Sequence, residues 1–239
     1  MHPVFAQLTA ATAARYRPAG HFAMNFVRGK LRYDPVYFAL LTQGLLPAQG
    51  NLLDLGCGRG ILMSLLSTAR QWASQHGWPE EWACPPVDLQ SYGVEIQPAR
   101  AAEARTALGS EAKVCVADLR CFDPLACHAV ILLDVLQYLD YAAQDRLLER
   151  ISNTLDRRGV LLIREADARA GWRFRCTQLT ERVCAAVRGH WRQQYHYRSM
   201  AEWVADLEAL GYHISVQPMS QGTPFGNSLL VAHRPERCA

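Results

Sequence analysis

Acids and glycines stand at the ends of short apolar runs in this 239-residue chain, and together they have the chemistry to hold a nucleoside. The densest group is Asp54-Leu55-Gly56-Cys57-Gly58-Arg59-Gly60. Three alternate glycines let a backbone turn tightly and approach a ligand with no Cβ in the way. A dinucleotide loop of the G-x-G-x-x-G form would place its third glycine at position 61, which is Ile61. Asp54 would also repel a pyrophosphate. Acid and loop together suit a ligand that carries an amino-acid ammonium and a sulfonium. Glu95, with Ile96 beside it, could accept both hydroxyls of a ribose. Asp118 could accept from an adenine exocyclic amine, with Leu119 against the ring. Asp134, after Val130-Ile131-Leu132-Leu133, is a further cofactor or catalytic candidate, or simply a cap on the segment that follows.

Positioning such residues takes an open parallel sheet, in which ligands bind beyond the carboxyl ends of the strands. The pattern supplies one. Strands are expected at Leu52–Leu55, Tyr92–Glu95, Ala112–Ala117, Val130–Leu133 and Val160–Ile163. Helices are expected from about Ile61, over Pro98–Leu108, and over Ala142–Leu155 with Gly159 as breaker. Such alternation implies parallel strands with right-handed crossovers. Gln75 to Ser91 reads as an insertion, and residues before the short helix at Pro35–Leu41 show no clear periodicity. In the last third, a helix is expected over Thr177–Val187. A capping box at Ser199–Glu202 opens another through Leu210, and two strands follow at His213–Val216 and Ser228–Ala232. One domain accounts for this pattern: an N-terminal lid or helix (1–50), a cofactor-binding core (51–167), cap helices (168–212) and closing strands (213–239).

Bulk properties narrow the class. Half the residues are hydrophobic and a fifth charged, an ordinary globular composition. A net charge of +3 and dispersed arginines give no nucleic-acid stripe. Met1 to Ala14 has no signal-peptide pattern, and no run approaches the roughly 20 apolar residues of a membrane span. Eight cysteines without a C-x-x-C pair read as reduced thiols in a cytoplasmic protein, with no metal site expected.

The ordered motifs resemble those of class I S-adenosylmethionine (SAM)-dependent methyltransferases. Asn51 to Gly60 looks like their first motif, Gly93-Val94-Glu95 their second and Ala117-Asp118-Leu119 their adenine motif. Asp134-Val135-Leu136-Gln137-Tyr138-Leu139 resembles the D-V-L-x-x-L segment of small-molecule enzymes. The resemblance covers about Asn51 to Asp167. It implies a Rossmann-like seven-stranded, mostly parallel sheet with an antiparallel last strand, helices on both faces, and added cap elements. SAM would be bound through Asp54, Gly56, Cys57, Gly58, Gly60, Glu95, Ile96, Asp118, Leu119 and Asp134, with S-adenosylhomocysteine as product.

The acceptor is expected to be a small molecule methylated on oxygen or carbon, since the N-P-P-Y or D-P-P-Y segment of amino-group methyltransferases is replaced here by Asp134-Val135-Leu136-Gln137. His190 and His196 are the candidate bases, His21 is a further one, and Asp134 is a separate catalytic candidate. Tyr195, Tyr197, Trp191 and Trp172 are candidate walls. Asp134, Glu165 and Asp167 lack the Asp-Asn pair of metal-dependent catechol methyltransferases. Arg32 to Tyr37 and Thr223 to Asn227 resemble bacterial methyltransferases of aryl-polyene or fatty-acid-like pigment pathways, which would imply an aromatic or acyl-linked acceptor. RNA or protein acceptors, a nicotinamide oxidoreductase and a silent SAM-fold scaffold are the competing readings.

Overall fold

A computed structural model describes residues 1–187 and 192–235. Its sheet has seven strands in the order β3-β2-β1-β4-β5-β7-β6. In chain order these are β1 (Gln49–Leu55), β2 (Asp88–Glu95), β3 (Ala112–Val116), β4 (Cys127–Leu133), β5 (Leu155–Ala166), β6 (His213–Pro218) and β7 (Asn227–His233). The first five pair in parallel. Strand β7 runs antiparallel to both β5 and β6, so the expected Rossmann-like sheet with an antiparallel last strand is present.

Residues alternate between the faces of each strand, and the core divides accordingly. Leu52, Ile131, Val160, Leu162 and Val231 meet helices α1 (Pro3–Ala14), α2 (His21–Tyr33), α3 (Pro35–Thr42), α4 (Ile61–His76) and α5 (Pro98–Leu108). Leu53, Val130, Leu132, Leu161 and Ile163 meet α6 (Tyr141–Thr154) and α8 (Met200–Ala209). Burial on both faces explains why the central strands read as continuous apolar runs. The remaining helix, α7 (Trp172–Val187), buries only Thr177 and Ala185 and contributes to neither core cluster. No helix of the described residues is long and apolar enough to cross a membrane.

Several boundaries differ from expectation. Helix α4 runs through His76 and β2 begins at Asp88, so the insertion shrinks to residues 77–87. That loop is pinned by Trp82, edge-on to Phe38 and Trp78. Helix α6 stops at Thr154 because Leu155 is extended (φ −71°, ψ 130°). Gly159 therefore lies inside β5 and breaks nothing. The segment before Pro35 holds two helices that escaped notice. On α2 the buried Ala23, Val27 and Leu31 are spaced by four, a narrow stripe blurred by Phe22, Met24 and Phe26 beside it. Helix α1 buries Phe5, Leu8, Thr9, Thr12 and Ala13, and its threonines hide the pattern.

Candidate active site

Strand β1 ends in the glycine-rich turn, and the turn is sewn to β2. Gly56 and Cys57 N–H groups both donate to Val94 O (2.8 and 3.0 Å). Gly58 N–H donates to Glu95 Oε2 at 3.0 Å. Gly56 has φ +75°, and a Cβ there would overlap Val135 and lie 2.9 Å from its Cβ. Gly58, at φ +57°, would meet nothing within 4 Å: it faces open space. Gly56→Ala is expected to destabilise the fold by about 2–4 kcal/mol, from left-handed strain plus overpacking. A urea midpoint lowered accordingly is the check, and wild-type stability would show that Val135 moves aside freely.

A cavity of about 660 Å³ opens at the carboxyl ends of the strands. It collects Asp54, Gly56, Cys57, Gly58, Glu95, Ile96, Asp118, Leu119 and Asp134 from four strand ends. Gly60 is not in its wall, but serves as the left-handed residue (φ 69°) that opens α4.

The acids of this wall differ in how they are held. Asp54 is 4% exposed and its carboxylate has no hydrogen-bond or ion-pair partner among the described residues. Burial, and then the charge of Glu95, pushes it up to about 7. Glu95 is pinned, accepting from Gln97 N–H at 2.7 Å through Oε1 and from Gly58 through Oε2. Asp118 takes the fork of Arg120, which holds it below the usual carboxylate range. Burial raises the Cys57 thiol, helped by Asp54 and Glu95.

Asp134 is a non-glycine residue in the left-handed region (φ 56°). Its carboxylate pairs with Arg164, and Lys30 Nζ lies 3.9 Å away. Arg164, 1% exposed, reaches back to Asp34 at 2.5 Å. Burial pushes Asp34 upward, but Arg164 and Lys30 outweigh it and hold the acid at about 2. One buried guanidinium thus ties the α2–α3 junction to the end of β4. Sequence reasoning missed Arg164, because an arginine at a strand end carries no signal until its two acids are seen around it. Glu165 is also buried; burial and then Asp134 raise it to about 8. It accepts the Val135 and Leu136 N–H groups (3.0 and 2.8 Å).

The acceptor-side candidates scatter. His196 is outside the cavity wall and lines a separate one of about 340 Å³. Its N–H donates to Gln137 O and its ring stands edge-on to Tyr141. His21 is exposed at the start of α2, and Trp172 is 62% exposed. His190 and Trp191 lie outside the described residues. Tyr195 does line the main cavity, together with Tyr138 and Glu181; Tyr138 is a variable position of the D-V-L-x-x-L segment, and Glu181 carries no sequence signal. Tyr197 lines the smaller one. Among the described residues no group of three His, Cys, Asp or Glu could hold a metal; Asp167 caps Arg169 and Met200 N–H groups instead.

A methyltransferase-domain family model matches residues 28–215. The chain belongs to that family. A curated relative, the carboxy-S-adenosyl-L-methionine synthase of Psychrobacter arcticus, is 31% identical over 120 residues, 48% of this chain and 40% of that protein. The chain therefore spans about two fifths of the curated relative it matches. Among solved structures, an O-methyltransferase family protein from Burkholderia thailandensis superposes with TM-score 0.64 at 17% identity, covering 90% of this chain and 59% of that one. Magnesium protoporphyrin IX methyltransferase from Synechocystis PCC 6803, with bound S-adenosylhomocysteine, gives 0.58 at 18%, covering 93% and 94%. An O-methyltransferase of neocarzinostatin biosynthesis, in complex with SAM and a hydroxynaphthoic acid, gives 0.59 at 21%, covering 90% and 57%. The methyltransferase domain thus shares its fold with these structures along most of its length.

Proposed function

We propose that the chain transfers a methyl group from SAM to a small-molecule acceptor, on oxygen or carbon, as one cytoplasmic domain with residues 1–50 and 168–212 covering the strand ends. The observation that carries this reading is Asp54, a buried carboxylate with no cation beside it among the described residues, next to a glycine that faces open space. A ligand ammonium would supply the missing charge, and the Gly56–Gly60 turn would let the ligand's amino-acid end lie against the backbone. Glu95, already oriented by two N–H groups, keeps lone pairs for ribose hydroxyls. Ile96, 53% exposed, and Leu119 offer apolar contact for an adenine edged by Asp118. Asp134, fixed by Arg164, would border the methyl-bearing end. SAM supplies an already activated sulfonium methyl group; the protein's part is to align acceptor, methyl and sulfur. Seven described cysteines, all free, fit a reducing compartment.

The pH dependence of binding tests the role of Asp54. In the free protein this acid loses its proton near pH 7, and a cationic ligand binds the ionised form. Affinity for S-adenosylhomocysteine should therefore hold above pH 7 and fall below it, by about tenfold between pH 8 and 6. Calorimetry at the two pH values reads this. Flat affinity would remove Asp54 as the cation's partner, and no binding at either pH would sink the reading.

A further inference from the structure

The acids assigned so far leave the acceptor's proton without a destination. Asp134 is committed to Arg164, Glu165 to two backbone N–H groups, and His196 faces a different cavity. The sheet order puts the ends of β2 and β3 on one side of β1 and the ends of β4 and β5 on the other. A nucleoside held by Glu95 and Asp118 therefore leaves the β4 side to the acceptor. There the 3-10 turn Leu136–Tyr138 presents Tyr138, 40% exposed, to the cavity. From α7 comes Glu181, with Cys184 and Ala185 on the same helix face.

Tyr138 Oη donates to Glu181 Oε2 at 3.1 Å. Among the described residues Glu181 Oε1 has no donor and the carboxylate has no ion-pair partner. Tyr195 braces the pair: its Oη donates to Glu181 O at 3.2 Å, and its ring centroid lies 5.5 Å from that of Tyr138. The result is a cavity-facing carboxylate, fixed through one oxygen and open at the other. Two tyrosine rings and the small side chains of Cys184 and Ala185 surround it. Such a wall favours a flat ring, and such a carboxylate favours a hydroxyl donor.

Building on the SAM reading, we propose that Glu181, positioned by Tyr138, is the general base of this site and that the acceptor is a hydroxylated aromatic ring. The acceptor's O–H bond breaks and its proton passes to Glu181. The phenolic oxygen, or the ring carbon it activates, bonds to the methyl carbon. The C–S bond breaks and its electron pair returns to sulfur, leaving the thioether. For carbon methylation, the ring C–H proton leaves afterwards to solvent. Proton transfer of this kind in the transition state is ordinary general-base work.

The test uses two probes, 4-nitrophenol and 4-nitroanisole, titrated by calorimetry into protein loaded with S-adenosylhomocysteine, at a pH where the phenol is protonated. The wild type should prefer the phenol by about tenfold, the worth of one hydrogen bond to a charged acceptor. Glu181→Gln should erase that preference while S-adenosylhomocysteine affinity stays as in wild type. Tyr138→Phe should reduce the preference by less. Equal binding of both probes by the wild type, no binding of either, or a preference that survives Glu181→Gln overturns the proposal. Failure of the wild type to bind S-adenosylhomocysteine overturns the cofactor reading and this proposal with it. A missing phenol preference in loaded protein overturns this one alone.

Discussion

Asp54→Asn is expected to yield a protein that binds S-adenosylhomocysteine far more weakly and yet resists urea better than wild type at pH 8. The two effects have one cause. Asp54 is 4% exposed, and its acidity moves from an ordinary 3.8 to about 7 on folding. An acid whose folded pKa is raised binds its proton more tightly in the native state, so ionising it there costs stability. The cost is absent below about pH 4, grows between 4 and 7, and is complete above 7. Each tenfold change in acidity is worth about 1.4 kcal/mol, which bounds the gain from the neutral amide at about 4 kcal/mol. Removing one partner of a desolvated charge pair typically costs 2–5 kcal/mol in binding. Ligand affinity should then fall on the order of a hundredfold or more. Urea titrations at pH 8 and pH 4, with calorimetry at pH 8, read both arms. Wild-type affinity in Asp54→Asn would end the proposed role. Unchanged stability at pH 8 would mean that Asp54 is better solvated than its burial indicates.

Arg164→Met should be the most damaging single change for stability, by about 3–5 kcal/mol at neutral pH. Arg164 is 1% exposed and its guanidinium faces Asp34 and Asp134 together, so its loss leaves the two acids with Lys30 as their one remaining cation among the described residues. Arg164→Lys should rescue little, because an ammonium cannot serve two carboxylates in a planar fork. Acid should narrow the gap between wild type and variant. Asp34, held at about 2 in the folded chain, contributes stability that is present above its ordinary 3.8 and lost as pH falls toward 2. Because Asp34 joins α2 to α3, amide exchange over His21–Thr42 should quicken more than over β4. A loss of less than about 1 kcal/mol would show that the pairing holds nothing in place.

The core was legible from local pattern because each of its elements carries a complete signal. Pro at the first position and an alanine-rich run set α5 at Pro98–Leu108, as expected. The Ser199–Glu202 capping box forms with both hydrogen bonds in place. Apolar runs at Leu52–Leu55 and Val130–Leu133 mark strands buried on both faces. By contrast, α1 mixes two threonines into its buried face, and the buried stripe of α2, Ala23, Val27 and Leu31, is blurred by Phe22, Met24 and Phe26 beside it, so neither helix stood out by local pattern.

The succession of strands and helices, the glycine turn after β1 and the acids at the strand ends are all written in local pattern, since a residue's place at the end of an apolar run is a local property. Family membership is legible in the same motifs and their order. Which of these acids is uncompensated, which is pinned and which is paired emerges in three dimensions alone. That depends on distant donors: Arg164 for Asp134, Gly58 for Glu95, and none among the described residues for Asp54. The acceptor side was likewise a tertiary matter. His196 looked like the base by residue type, but its chain segment turns it toward another cavity. An unmarked glutamate on α7 faces the strand ends instead, because how a cap helix is rotated follows from its packing and is written nowhere in its own residues.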